Sequence, residues 1–129
     1  AIIGEISKNE FTGNSAGISD SDQPGYGGAI YNDGLIESLK DNELPSNSAR
    51  NAGGAIFNDV NGHITSMSGN TFTSNTVILD AEQRRQGGSI ANAGTIEAMT
   101  GNHFVFDEEY EIDWRLNDAE SGGFIYNGY

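Results

Sequence analysis

Cysteine is absent from the 129-residue chain, proline occurs twice, and lysine and arginine together number six. Without cysteine there are no disulfides, thiolate nucleophiles or cysteine-based zinc sites, and the redox compartment stays open. Two prolines are too few for collagen or for a proline-rich linker. Six cationic side chains against 19 carboxylates leave a net charge of -13. That balance does not neutralise a phosphate backbone or hold an anionic membrane surface, so nucleic acid is not an expected partner. No apolar run approaches the ~20 residues that span a bilayer, and no leader pattern opens the chain, so direct membrane insertion is not expected either. At 36% hydrophobic residues, the chain has material for one domain or part of one.

What the chain does contain is glycine, 18 residues, and asparagine, 14. Both recur with a period. Gly27-Gly28-Ala29-Ile30-Tyr31-Asn32 returns as Gly53-Gly54-Ala55-Ile56-Phe57-Asn58, as Gly87-Gly88-Ser89-Ile90-Ala91-Asn92 and as Gly122-Gly123-Phe124-Ile125-Tyr126-Asn127, at spacings of 26, 34 and 35 residues. A second pattern trails each of the first three. It reads Ile36-x-x-Leu39-x-x-Asn42-x-Leu44-x-x-Asn47, then Ile64-x-x-Met67-x-x-Asn70-x-Phe72-x-x-Asn75, then Ile96-x-x-Met99-x-x-Asn102-x-Phe104-x-x-Asp107. The N-terminal piece carries it too, as Ile3-x-x-Ile6-x-x-Asn9-x-Phe11-x-x-Asn14.

Short bursts of β-branched and aromatic residues punctuated by Gly and Asn, without a sustained helical period, specify an all-β chain. Repetition of the whole unit makes it a solenoid, a parallel β-helix of about four to five partial coils with three short strands in each. Coils stack at about 4.8 Å, so each apolar side chain rests on its equivalent in the next coil. The strands are expected at 29–32, 35–39 and 43–46, then 55–58, 63–67 and 71–74, then 89–92, 95–99 and 103–106. The glycine pairs fall at a corner where the backbone needs φ > 0 or close approach to its neighbour coil. Which of the following Ala or Ile faces inward stays open at this point. Equivalent turn asparagines suggest three ladders of stacked amides with a structural role: Asn32, Asn58, Asn92 and Asn127; Asn9, Asn42, Asn70 and Asn102; Asn14, Asn47 and Asn75, with Asp107 continuing the last.

Insertions near 17–25, 78–86 and 108–121 interrupt the repeat, all between the Asn14-type position and the next glycine pair. They are expected to leave a single β-helix segment, 1–129, at one corner and to form one rim, where a solenoid usually carries its contacts. The longest holds the candidate interface Tyr110, Ile112, Trp114, Arg115 and Leu116, aromatic and apolar groups with an arginine beside them. Shielding of the solenoid's own flank and carbohydrate stacking are the other readings of that segment. Asp20-x-Asp22 and Glu108-Glu109-x-Glu111-x-Asp113 offer oxygen ligands, but neither has a calcium-loop spacing, and no metal or cofactor is assigned. His63 and His103 occupy different repeat positions, have no neighbouring partner that suggests a triad or metal site, and read as turn or strand-surface residues. Lys8 and Lys40 sit one column apart and the arginines fall in loops, so no acid–base pair assembles and no catalytic residue is assigned. The chain begins and ends in mid-coil, which reads as two uncapped ends covered by a protein partner, by further coils or by the insertions folded over them.

The motifs Gly27 to Ile30 and Gly53 to Ile56, with Phe11-Thr12-Gly13-Asn14 and Phe72-Thr73-Ser74-Asn75, resemble the repeats of polymorphic outer membrane proteins and related autotransporter passenger domains. The resemblance implies a right-handed parallel β-helix displayed on a cell surface or secreted, commonly as an adhesin. Ser89, Asp107, Leu44 and Phe124 depart from it. Two functions follow as expectations. One is a non-catalytic surface adhesion-type module; the other is a structural subunit docked in a larger multiprotein assembly, in whatever compartment that occupies, through its coil ends and the 108–121 loop. A polysaccharide-binding or -modifying β-helix is a third.

Overall fold

In the computed structural model, residues 1–17, 24–78, 87–105 and 125–127 are described. They form fourteen strands: β1 (Ile2–Ser7), β2 (Ser15–Ala16), β3 (Ile30–Asn32), β4 (Leu35–Lys40), β5 (Glu43–Pro45), β6 (Ser48–Ala49), β7 (Ile56–Asn58), β8 (His63–Ser68), β9 (Thr71–Thr73), β10 (Thr76–Val77), β11 (Ile90–Asn92), β12 (Thr95–Thr100), β13 (His103–Val105) and β14 (Ile125–Asn127). Every pairing is parallel and joins equivalent strands of successive repeats, in four sheets ordered β1-β4-β8-β12, β13-β9-β5, β10-β6-β2 and β14-β11-β7-β3. The fold is a right-handed parallel β-helix. The three strands per coil read from the sequence are present, and each complete coil adds a fourth of two residues, β6 and β10.

Register explains the spacing of the apolar residues. Ile3, Ile36, Ile64 and Ile96 form one column, and Ile6, Leu39, Met67 and Met99 the next. Side chains of a strand alternate between faces, so two inward residues three apart require the strand to change facing between them. The paired register skips that intermediate position, occupied by Glu37 in β4 and Thr65 in β8. A third column runs Leu44, Phe72, Phe104, with the two phenyl rings stacked at 4.9 Å. Ile36, Leu39, Leu44, Ile56, Ile64, Met67, Phe72 and Ile90 are fully buried in one continuous core.

At the glycine corner both residues of the Ala-Ile pair face inward. Ala55 and Ile56 join the core, and Ala29 and Ile30 pack against it. Two successive inward residues are accommodated because one carbonyl serves two amides: Ala55 O accepts from Ala29 N and Ile30 N, both at 2.9 Å, and Ser89 O does the same for Ala55 and Ile56. The two glycines divide the work before them. Gly27, Gly53 and Gly87 take φ of 67, 64 and 63°, whereas a Cβ on Gly54 would overlap the Gly88 carbonyl oxygen of the next coil.

Two further columns have left-handed backbone, and each lies immediately before a ladder asparagine. One is Lys8, Asp41, Gly69 and Gly101 (φ 57, 54, 67 and 63°); the other is Gly13, Ser46 and Ser74 (φ 66, 58 and 53°). A corner built this way turns its peptide groups away from the neighbouring strand, and the asparagine that follows supplies replacement partners.

Candidate functional site

The ladder asparagines are densely bonded. Asn70 is fully buried; its Nδ2 donates to Leu39 O at 2.8 Å and to Asn102 Oδ1 at 2.9 Å, while its Oδ1 accepts from the main-chain N and Nδ2 of Asn42, both at 3.0 Å. Asn9 donates to Asn42 in the same way, and Asn102 donates to Met67 O. Asn14, Asn47 and Asn75 repeat the scheme one corner further on, with Asn47 bonded to Phe11 O and Asn75 to Leu44 O. Asn32, Asn58 and Asn92 pass amide bonds of 2.8 and 2.7 Å from coil to coil. Asn127 pairs with Asn92 through the backbone register of β14 and β11. In every ladder donation runs from the earlier coil to the later one. Among the described residues no buried side-chain nitrogen or oxygen lacks a partner. A group whose hydrogen bonds are all spent inside the coil is held there for structure and has no lone pair or proton to offer a substrate.

Tyr110, Ile112, Trp114, Arg115 and Leu116 lie outside the described residues, as do Asp107 and the carboxylates of 108–113 and of Asp20 and Asp22. The stems of the first two insertions are described. Gly17 and Gly25 lie against each other, so that a Cβ on Gly17 would be 2.7 Å from the Gly25 Cα. Arg50 N donates to Ala16 O and Ile78 N to Ala49 O, which sets Gly17, Arg50 and Ile78 at successive levels of one corner.

His63 and His103 lie on strands, at the starts of β8 and β13, and His63 has one surface partner. Its Nε2 is 3.0 Å from Glu97 Oε1, on the outer face of β8 and β12. Register places Thr95 opposite His63, so Glu97 reaches it on the diagonal, two residues along. Both side chains are well exposed, and a pair so wet contributes little to stability. Among the described residues no three His, Cys, Asp or Glu side chains gather where a metal ion would be held. No helix there is long and apolar enough to cross a membrane.

One surface feature went unread in the sequence. The outward position after each core isoleucine is Tyr31, then Phe57, then Ala91. Phe57 is buried although it points away from the core, in a second small cluster with Ala52 and Ala91. Tyr31 stacks on it at 5.6 Å, nearly parallel, and Tyr26 packs against it at 4.8 Å and a 51° tilt. The turn after β7 is two residues longer than its equivalents, Asp59-Val60-Asn61-Gly62 against Asp33-Gly34 and Ala93-Gly94, and it carries Asp59 to the Tyr31 hydroxyl, which donates to Oδ2. That hydrogen bond, then burial and the charges of Asp59 and Asp33, raise the Tyr31 phenol to about 12 from its ordinary 10.0. The length difference between turns was the available signal.

The described chain is thus a repeat solenoid whose motif residues build scaffold and whose variable side chains are displayed outward. In keeping with this class, residues 10–33 match the Chlamydia polymorphic membrane protein repeat. That stretch holds one Phe-x-x-Asn corner, at Phe11 to Asn14, and one glycine-pair corner, at Gly27 to Ile30. No curated protein and no solved structure matches the chain.

Proposed function

We propose that the chain is a non-catalytic β-helix module of the cell-surface or secreted adhesion type, in which the coil is a rigid rod and the side chains of its outer faces make the contacts. The observation that carries the reading is the coincidence of the 10–33 match with the two corners that recur through the solenoid. The stretch that matches a membrane-protein repeat contains both corners that set coil geometry. Satisfied amide ladders and an apolar core leave the acidic outer faces as the surface on which recognition is built. The test is protease treatment of intact source cells followed by detection of the chain, together with binding of beads coated with the purified chain to candidate target cells. Loss of the chain from intact cells and saturable bead binding are expected. Protection of the chain inside the cell, with recovery in a stoichiometric complex, would sink the surface role.

A second reading is favoured by the coil ends. Among the described residues β1 and β12 are the outer strands of their sheet, and core-column residues on them are open: Ile3 is 44% exposed and Met99 36%. Such edges accept a further parallel coil, from the same or another chain, in a larger assembly. Trp114 and its neighbours belong to this reading, and a Trp114→Ala variant that releases a co-purifying partner would support it.

A further inference from the structure

The corner made by Tyr26, Tyr31, Phe57 and Asp59 is more elaborate than coil stacking requires. In the third coil the same outward column is filled by an alanine, Ala91, without loss of register. In the first two coils it carries rings in which Phe57, only 5% exposed, is the base and the two tyrosines are the surface, Tyr31 at 52% and Tyr26 at 37%. One face of the Tyr31 ring is used up against Phe57, which holds the ring in place and leaves the rest to solvent.

The carboxylate beside these rings is fixed as well. Asp59 Oδ2 accepts the Tyr31 hydroxyl and Oδ1 accepts the Val60 amide at 2.7 Å, so each oxygen of this half-buried carboxylate keeps acceptor capacity. Asp33 is exposed in the preceding turn and close enough to act on the Tyr31 phenol electrostatically. Two immobilised aromatic faces flanked by two carboxylates are a negative, planar, preorganised surface. A guanidinium is planar, delocalised and weakly hydrated; it stacks on a tyrosine face and donates paired N–H groups to a carboxylate. An ammonium matches the charge without the plane, and a neutral sugar matches the ring without using the charge. We propose that this corner docks an arginine side chain of a partner protein. The net charge of -13 favours approach of such a partner at long range. The site does not depend on where the module resides, so it stands or falls separately from the surface role.

The test uses the full chain with 13C-labelled tyrosine, titrated with the peptide Gly-Arg-Gly-Arg-Gly, its lysine counterpart and a neutral β-linked trisaccharide, while the Tyr26 and Tyr31 ring signals are followed. Saturable shifts of both rings with the arginine peptide are expected, with several-fold weaker binding of the lysine peptide. D59N and Y31A should each weaken arginine binding roughly tenfold, while Y31F, which keeps the ring, should lose less. The charge-matched control E10Q, at the isolated bridge of Glu10 to Glu43 of β5, should change it less than about twofold. Circular dichroism of each variant establishes that the coil persists. Equal losses from D59N and E10Q would mean that only net charge attracts the peptide. Ring shifts with the trisaccharide but not with arginine would make the corner a sugar-stacking surface, and no shift with any probe would make it purely structural. Each of these three results overturns the proposal.

Discussion

Replacement of Asn70 by alanine tests the ladder as the element that makes a narrow coil stable. The substitution removes two donated bonds, to Leu39 O and Asn102 Oδ1, and the acceptor used by the peptide N–H and amide of Asn42. The Asn42 amide nitrogen still reaches Ile6 O, the Asn70 peptide N–H still reaches Asn102, and the Leu39 carbonyl stays in the β4–β8 ladder, so one group is orphaned outright: the Asn42 peptide N–H. Asn70 and Asn42 are essentially closed to water, at 0% and 1% exposure. That orphan costs about 1–3 kcal/mol, and the lost amide bonds and volume add to it, for a total of roughly 2–4 kcal/mol. That is a large share of the ~5–15 kcal/mol that holds a domain together. The same change at exposed Asn9, whose bonds lie at the open end of the ladder, should cost below about 1 kcal/mol. Urea unfolding followed by circular dichroism measures both. A loss below about 1 kcal/mol for N70A, or equal losses at the two positions, would show that water replaces these bonds and that burial is not what gives the ladder its strength.

Three other outcomes are expected. Gly54→Ala should destabilise severely, because its Cβ meets the Gly88 carbonyl, whereas Gly101→Ala, whose Cβ would meet nothing nearer than Gly69 N at 3.9 Å, should cost only the ~1–2 kcal/mol of left-handed backbone; thermal melts of the pair separate the two causes. Phe72→Ala removes a ring fully buried against Phe104 and should cost about 3–5 kcal/mol in the same urea assay. Ultraviolet titration should find Tyr31 ionising at about 12, and Asp59→Asn should bring that midpoint down. Because the folded value lies above the unfolded one, the contribution of Tyr31 to stability is complete below pH 10 and is lost as pH rises towards 12, so the variant should show less alkaline destabilisation over that window.

The columns were legible because the coil repeats them. Ile36, Ile64 and Ile96 recur at one motif position, and parallel stacking in register follows from that recurrence without any knowledge of handedness. The two-residue strands β6 and β10 were not legible, since two residues leave no alternation to read. The left-handed column before the ladder was hidden for a different reason. Glycine marks it at Gly69 and Gly101, but Lys8 and Asp41 occupy it in the earlier coils, so residue type alone does not reveal the shared backbone. The inward facing of both Ala55 and Ile56 depends on one carbonyl serving two amides, a geometric fact with no compositional trace. The Tyr26–Tyr31–Asp59 corner combines a residue ahead of the glycine pair, one after it and one from the next turn. Only the stacking of coils brings them together.

The corner at Gly17, Arg50 and Ile78 has a consequence for how such a chain varies. Between Arg50 and Asn51 the path closes without extra residues, held by Arg50 N to Ala16 O and Asn51 N to Gly25 O, while the levels before and after continue into inserted sequence. Chain length and coil register are therefore decoupled at this corner, as they are on a smaller scale at the longer turn after β7. A mutation that lengthens the chain here leaves every core column and every amide ladder in step, whereas the same residue added within β4 or β8 would throw its columns out of phase. The solenoid thus behaves as a fixed frame with an exchangeable edge, and Arg50–Asn51 is the position at which a foreign loop should be received without refolding the rest.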